Sequence, residues 1–118
     1  DQLGNPTSAL DLADGLLALI HGWRQAPATG LGETYHLAGS GDTSWHGLAS
    51  AAVEHAAALG GPSARVRPIR TDDWPTRAPR PRSSRLDCAK FERDFGFRMP
   101  RWEGSVAAVV DRLVTAAP

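Results

Sequence analysis

The chain has 118 residues, and its 13 basic and 13 acidic side chains balance, so no global field draws it to nucleic acid or to an anionic membrane. At 42% apolar and 22% charged it has a globular rather than a disordered composition, and its length suits one domain with a modest core. Its single cysteine, Cys88, excludes an internal disulfide and a cysteine-rich zinc site and agrees with a reducing, cytoplasmic location; no apolar run approaches the roughly 18 residues a membrane span needs.

Residues 1–6 read as the tail of a strand or loop, with turn residues Gly4, Asn5 and Pro6. A start inside a strand-to-helix connection, without methionine, suggests a piece of something longer. Thr7 or Ser8 caps a helix over 8–24, with Asp11 three positions after Ser8 as in a capping box. Leu10, Ala13, Leu17 and Ile20, thickened by Leu12 and Leu16, form its apolar stripe. Residues 34–38 predict a strand, from the β-formers Thr34 and Tyr35 and the exit Gly39-Ser40-Gly41.

Thr43 or Ser44 caps a second helix running to about Leu59. Its buried stripe is Leu48, Ala52, Val53, Ala56 and Leu59, and Gly60-Gly61-Pro62 ends it. Residues 65–69 alternate polar and apolar, and Pro68 demotes them to an edge strand. Two strands joined by a helix read as a βαβ unit, parallel or within one mixed sheet.

Pro75, Pro79 and Pro81 make 74–82 an extended, irregular loop. Asp87 caps a helix over 88–95, with Leu86, Phe91 and Phe95 at helical spacing, and Gly96 stops it. A closing helix follows over 105–117, with Val106, Val109, Val110 and Leu113 as its apolar face. Trp102, after Pro100, is expected to be buried among Phe91, Phe95 and Val106, anchoring the last helix on the helix at 88–95. So small a sheet buries little surface, which also fits a piece of a longer protein.

No catalytic constellation stands out. His21, His36, His46 and His55 lack metal spacing, Asp72-Asp73 reads as a solvated loop pair, and Cys88 reads as a packed, inert thiol. Gly39-Ser40-Gly41 misses the dinucleotide fingerprint because Ser44 stands where the third glycine belongs, so a helix-entry loop is the expected role.

The arginines are denser. Arg65, Arg67, Arg70, Arg77, Arg80, Arg82 and Arg85 fall within 21 positions. Such a cluster needs anionic company: solvent counterions, Asp72 and Asp73, or a phosphate ligand, for which a guanidinium fork is suited. By residue type alone, a solvated charged loop is the plainer reading. Trp74 is an exposed stacking candidate, yet neutral charge and few interleaved aromatics argue against RNA.

Residues 80–106 follow the pattern RP-x-x-SRLD-x-x-KF-x-x-x-FG-x-x-x-P-x-W-x-x-S-x, preceded by DQLGNPTSALDLA at 1–13 and YHLAGSGDTSWHGLA at 35–49. In this order and over nearly the whole chain, the motifs resemble the C-terminal end of the dTDP-4-dehydrorhamnose reductases, which are extended short-chain dehydrogenases/reductases. The resemblance implies an α/β fold of about four helices and two or three short strands. Residues 1–118 would be the C-terminal substrate-binding portion of an extended Rossmann-type reductase, its N-terminal NAD(P)-binding Rossmann domain lying outside this chain. It implies hydride transfer from NADPH to the 4-keto sugar of dTDP-4-dehydrorhamnose, giving dTDP-rhamnose, with a proton from a Tyr-x-x-x-Lys tyrosine.

This sequence lacks that machinery. Its one tyrosine, Tyr35, is followed four positions on by Gly39, and the glycine-rich fingerprint is absent, so no catalytic or cofactor-binding residue is assigned and the chain alone should be inactive. On the substrate side, Arg80 matches the loop arginine that reaches the sugar-nucleotide diphosphate in such enzymes. Asn5, Pro6 and Thr7 resemble the turn beside the pocket, and Ser84 of the SRLD motif joins them. Some members pair through a metal held by helix carboxylates; the matching positions here hold Leu10 and Arg112, so neither metal nor that dimer is expected. The implied partners are a dTDP-sugar and the chain's own Rossmann domain, not nucleic acid or membrane. The alternative is a stand-alone phosphate- or RNA-binding module that uses the arginine loop.

Overall fold

A computed structural model describes residues 1–116. Among them are four helices, α1 (Ala9–Gln25), α2 (Trp45–Ala58), α3 (Ala89–Phe95) and α4 (Trp102–Thr115), with a 3-10 turn at Thr71–Asp73. Two short strands, β1 (Leu3–Gly4) and β2 (Thr43–Ser44), pair antiparallel, Leu3 opposite Ser44. Leu3 also bridges Ser83 on its other side: its N–H donates to Arg82 O at 2.9 Å and its carbonyl accepts from Ser84 N at 2.8 Å. β1 is therefore the middle of a three-segment patch that ties the end of the proline–arginine loop to the start of α2.

The helix ends follow local chemistry. Ser8 caps α1 by accepting from Leu10 N, and Ser44 caps α2 by accepting from Gly47 N. Asp87 accepts from Ala89 N at 2.9 Å, one residue ahead of the N-cap Cys88, and Gly96 ends α3 in the left-handed conformation with φ 66°. α4 begins at Trp102, earlier than expected, because Arg101 supplies an extended N-cap straight after Pro100. Of the expected end of that helix, Ala117 lies outside the described residues. Asp11 closes no capping box; its carboxylate accepts from the buried Ser105 hydroxyl and so ties α1 to α4.

Neither the strand expected at 34–38 nor the edge strand expected at 65–69 forms, and with them goes the βαβ unit. Residues 34–38 and 65–69 have no ladder partner among the described residues. A strand needs a neighbour for its N–H and C=O groups, and at 34–38 side chains take two of those groups instead. Ala38 N donates to Cys88 Sγ at 3.2 Å, and Lys90 Nζ donates to Thr34 O at 3.2 Å. β-propensity describes a fit to a sheet, and the sheet has to be there.

The core is small and lies in two places. Phe91, only 2% exposed, sits edge-on to Tyr35 and tilted against Phe95. The Tyr35 hydroxyl donates to Asp94 at 2.7 Å, which raises the phenol's pKa, while Arg93 and then Tyr35 hold the Asp94 carboxyl below its usual range. Gly15 and Gly22 let α1 lie close to Leu37, Phe97 and Phe95. The second centre is the α2–α4 pair, closed by Ala56 and Val110 and bridged by His55 Nε2 and Asp111 Oδ1 at 2.8 Å.

Trp102 is buried as expected, and it lines one groove with the expected neighbour Val106. It packs on Gly41 and the groove beside α2 and α4, because Trp102 N donates to Ser40 O and holds the indole at the Gly39-Ser40-Gly41 loop. The apolar stripe of α1 is not core. Leu10, Leu12, Leu16, Leu17, Ile20 and Trp23 remain exposed, while the face of Asp11, Gly15 and Gly22 turns inward. The inward face is the one whose small residues allow close approach.

Candidate functional site

Two adjoining cavities open beside the β1 patch. The first, of about 290 Å³, is walled by β1, Asn5, Pro6, the start of α2, Arg80, Pro81 and Ser84. The second, of about 640 Å³, extends from Trp45 and His46 to Arg67, Arg70, Thr71 and Trp74. Gln2, Ser44, Trp45 and Arg80 line both, so the two form one continuous depression with Arg80 at the join. Volumes of this order suit small-molecule sites.

The walls are fixed by hydrogen bonds between distant segments. Asn5 Nδ2 donates to Gly41 O at 2.7 Å, and its Oδ1 accepts from Leu86 N at 2.7 Å. One side chain thus fastens the chain's first turn to the glycine loop and to the segment before α3. Gln2 Nε2 donates to Thr71 Oγ1, and the Thr71 hydroxyl donates in turn to Asp1, pinning the 3-10 turn that leads into Trp74. Gly39 has so little room that an added Cβ would lie 2.0 Å from Pro6 O.

Electrostatically the depression is positive. Of the seven clustered arginines only Arg85 has a carboxylate partner among the described residues, Asp42 at 3.4 Å. Asp73 is used otherwise: it accepts from the Arg70 backbone N–H at 2.9 Å. The guanidinium of Arg80 is thus unpaired at the junction of the cavities. The first turn of α2, which borders both, carries no acidic residue to offset the helix dipole.

Of the residues singled out from the sequence, Arg80, Asn5, Pro6 and Ser84 meet in the first cavity. Thr7 does not line it: its hydroxyl donates to Asn5 O and accepts from Gly39 N, so it braces the turn from behind. Sequence reasoning missed Gln2, Trp45 and Thr71. Trp45 left a signal, a large aromatic directly after a helix cap and off the apolar stripe. Gln2 and Thr71 left none, since their meeting spans 69 positions.

A larger groove of about 860 Å³ runs between α2, α4 and the start of α1, bordered by Leu10, Leu48, Val106 and Leu113. Its walls are mostly apolar, with Asn5, Ser8, Ser105 and Arg112 among the polar residues that line it. The Gly39-Ser40-Gly41 loop offers no dinucleotide cradle. Gly39 is filled by Pro6 O and Gly41 by the Trp102 ring.

The family model described as "RmlD substrate binding domain" matches residues 1–115. A dTDP-4-dehydrorhamnose reductase of Sinorhizobium fredii is 37% identical over 110 residues, covering 93% of this chain and 37% of that protein. One from Escherichia coli K12 is 36% identical over 118 residues, covering 98% of this chain and 38% of that protein. The crystal structure of a dTDP-4-dehydrorhamnose reductase, an RfbD ortholog from Clostridium acetobutylicum, superposes with a TM-score of 0.77 at 27% identity, over 96% of this chain and 36% of that one. The chain therefore spans well under half the length of these relatives.

Proposed function

We propose that this chain, which belongs to the RmlD substrate binding domain family, is the C-terminal, substrate-holding part of an NADPH-dependent reductase that converts dTDP-4-dehydro-L-rhamnose to dTDP-L-rhamnose. The observation that carries the reading is the unpaired Arg80 guanidinium at the junction of two cavities, walled by Asn5, Pro6 and Ser84. A diphosphate at Arg80 would receive two charge-assisted hydrogen bonds from one fork. Pro79 and Pro81 restrict the backbone on either side, so less entropy is lost when the side chain engages.

Within this chain the work is binding and orientation. No residue pair resembles the proton donor such a reaction needs, and the glycine loop is filled. NADPH therefore belongs on a dinucleotide-binding Rossmann part of a longer protein. Such a part would cover the exposed leucines of α1, and a neighbouring strand of it would supply the partner that residues 34–38 lack. No observation favours the stand-alone phosphate- or RNA-binding module.

Kinetics test the reading. The complete protein should oxidise NADPH when given dTDP-4-dehydrorhamnose, and the 118-residue chain alone should not; turnover by the chain alone would overturn the division of labour. In the complete protein, Arg80→Ala should raise KM for the dTDP-sugar about tenfold, about 1.4 kcal/mol, and leave KM for NADPH unchanged. Arg82 is the control, since its guanidinium lines neither cavity. If Arg82→Ala behaves like Arg80→Ala, the loop acts only as a diffuse charge.

A further inference from the structure

Arg80 reaches the depression from a loop with few fixings of its own. Residues 75–87 are exposed, and among the described residues no hydrogen bond joins 75–81 to the rest of the chain; the Thr76 hydroxyl donates to Ala78 O within the loop itself. The place of the Arg80 guanidinium is therefore decided at the two ends of the loop. Its entry is held at Thr71, which Asp1 and Gln2 engage. Its exit is held by Leu3 and Asn5.

The exit bonds have the form of a parallel ladder. Leu3 N donates to Arg82 O and Ser84 N donates to Leu3 O, the pair of bonds centred on Ser83. The next rung of such a ladder would run from Leu86 N to the main-chain carbonyl of Asn5. That carbonyl accepts from the Thr7 hydroxyl at 3.0 Å, and the Asn5 side chain supplies the acceptor instead, its Oδ1 taking Leu86 N at 2.7 Å. The other end of the same amide donates to Gly41 O at 2.7 Å, on the strip that continues into Thr43 and Ser44 of the first cavity. Held at Leu3 alone, the exit segment could pivot about one residue. Leu3 and Asn5 together fix its direction as well as its place. The remaining side-chain fixings are weaker: Ser84 Oγ donates to Leu3 O at 3.3 Å, and the Arg85–Asp42 pair at 3.4 Å is exposed and screened.

We infer that Asn5 is a positioning residue for Arg80: it aims the loop by holding the backbone at Leu86, and it is not itself a contact to the ligand. This rests on the proposed diphosphate contact at Arg80 and adds to it the side chain that sets its reach. Both ends of the Asn5 amide are engaged within the chain, although the residue lines the cavity. Pro81 restricts the backbone between the exit and Arg80, so a change of direction at Leu86 is carried to the guanidinium rather than absorbed on the way.

Steady-state kinetics of the complete protein test this with Asn5→Ala, Arg80→Ala and the double variant. Asn5→Ala should raise KM for the dTDP-sugar about fivefold, the order one hydrogen bond supports, and leave kcat and the NADPH KM within about twofold. In the Arg80→Ala background the same change should alter KM by less than about twofold, because the group it positions is gone. Asn5→Ser, whose hydroxyl cannot reach both partners as the two ends of an amide do, should behave like Asn5→Ala, and it is read in its place if the alanine variant does not fold. An unchanged KM in Asn5→Ala would overturn the inference. So would a rise of the same size in the Arg80→Ala background, which would mean that Asn5 meets the ligand itself. Both results leave the reductase reading intact as long as Arg80→Ala alone raises KM. No effect of Arg80→Ala would overturn the diphosphate contact, and the inference with it.

Discussion

Phe91→Ala should destabilise the protein by about 3–5 kcal/mol, the usual cost of removing a buried phenyl ring. Among the described residues Phe91 is the largest side chain that is fully buried, and the other buried apolar residues are Ala38, Ala56, Met99, Trp102 and Val110. Its ring meets Phe95 at 4.9 Å and Tyr35 at 6.1 Å between centroids, the second at 85°, an edge-to-face geometry that adds to simple burial. α3 has only seven residues, too few to hold a helix without packing, so its order depends on this ring. A domain of this size has about 5–15 kcal/mol in all, so the loss is a large share. Urea denaturation reads it directly, and Phe91→Leu should keep more than half of the stability lost in the alanine variant. An unchanged midpoint in Phe91→Ala would mean that the aromatic cluster is not the anchor of α3.

Gly39→Ala should cost about 3 kcal/mol or more, at the upper end for overpacking. The added methyl would meet the Pro6 carbonyl oxygen at 2.0 Å; that oxygen is backbone and a Cβ is fixed rigidly to its Cα, so neither can swing aside. The Asn5-Pro6-Thr7 turn must shift, and it carries the Asn5 bonds to Gly41 and Leu86 together with one wall of the first cavity. Under the proposed function, the same change in the complete protein should raise KM for the dTDP-sugar severalfold. Gly104→Ala is the comparison: its added methyl has open space on α4, and alanine there should be neutral or stabilise by about 0.5–1 kcal/mol. Equal melting temperatures for Gly39→Ala and the parent chain would show that the loop yields without strain.

What could be read from the sequence divides by range. The four helices were legible because their signals are local: Ser8 and Ser44 accept from N–H groups two and three residues on, and Gly96 is the left-handed stop it resembles. The strands were not, because pairing depends on distant segments. Residues 34–38 have strand composition, but their N–H and C=O groups meet side chains of α3 and its cap, while the segments that do pair, at Leu3, Thr43 and Ser83, are too short to show a pattern. On α1, hydrophobic periodicity located the apolar stripe but not what covers it, and close approach selected Gly15 and Gly22 instead. In the candidate site, Arg80 was singled out through its match to a family pattern, whereas its meeting with Trp45 and the Gln2–Thr71 bond needed the fold.

β1 also sets the order of events in folding. Its two residues join Thr43 and Ser44 on one edge and Ser83 and Ser84 on the other, the last 81 positions away. Helices form within about a microsecond, whereas contacts this far apart must first overcome the entropy of closing long loops. The helical pieces are therefore kinetically early, and the depression at Arg80 closes late, when the first residues of the chain settle between the two segments. The same few bonds make it the part that local opening releases first, so amide hydrogens at Leu3 and Ser84 should exchange with solvent well before those in the middle of α4.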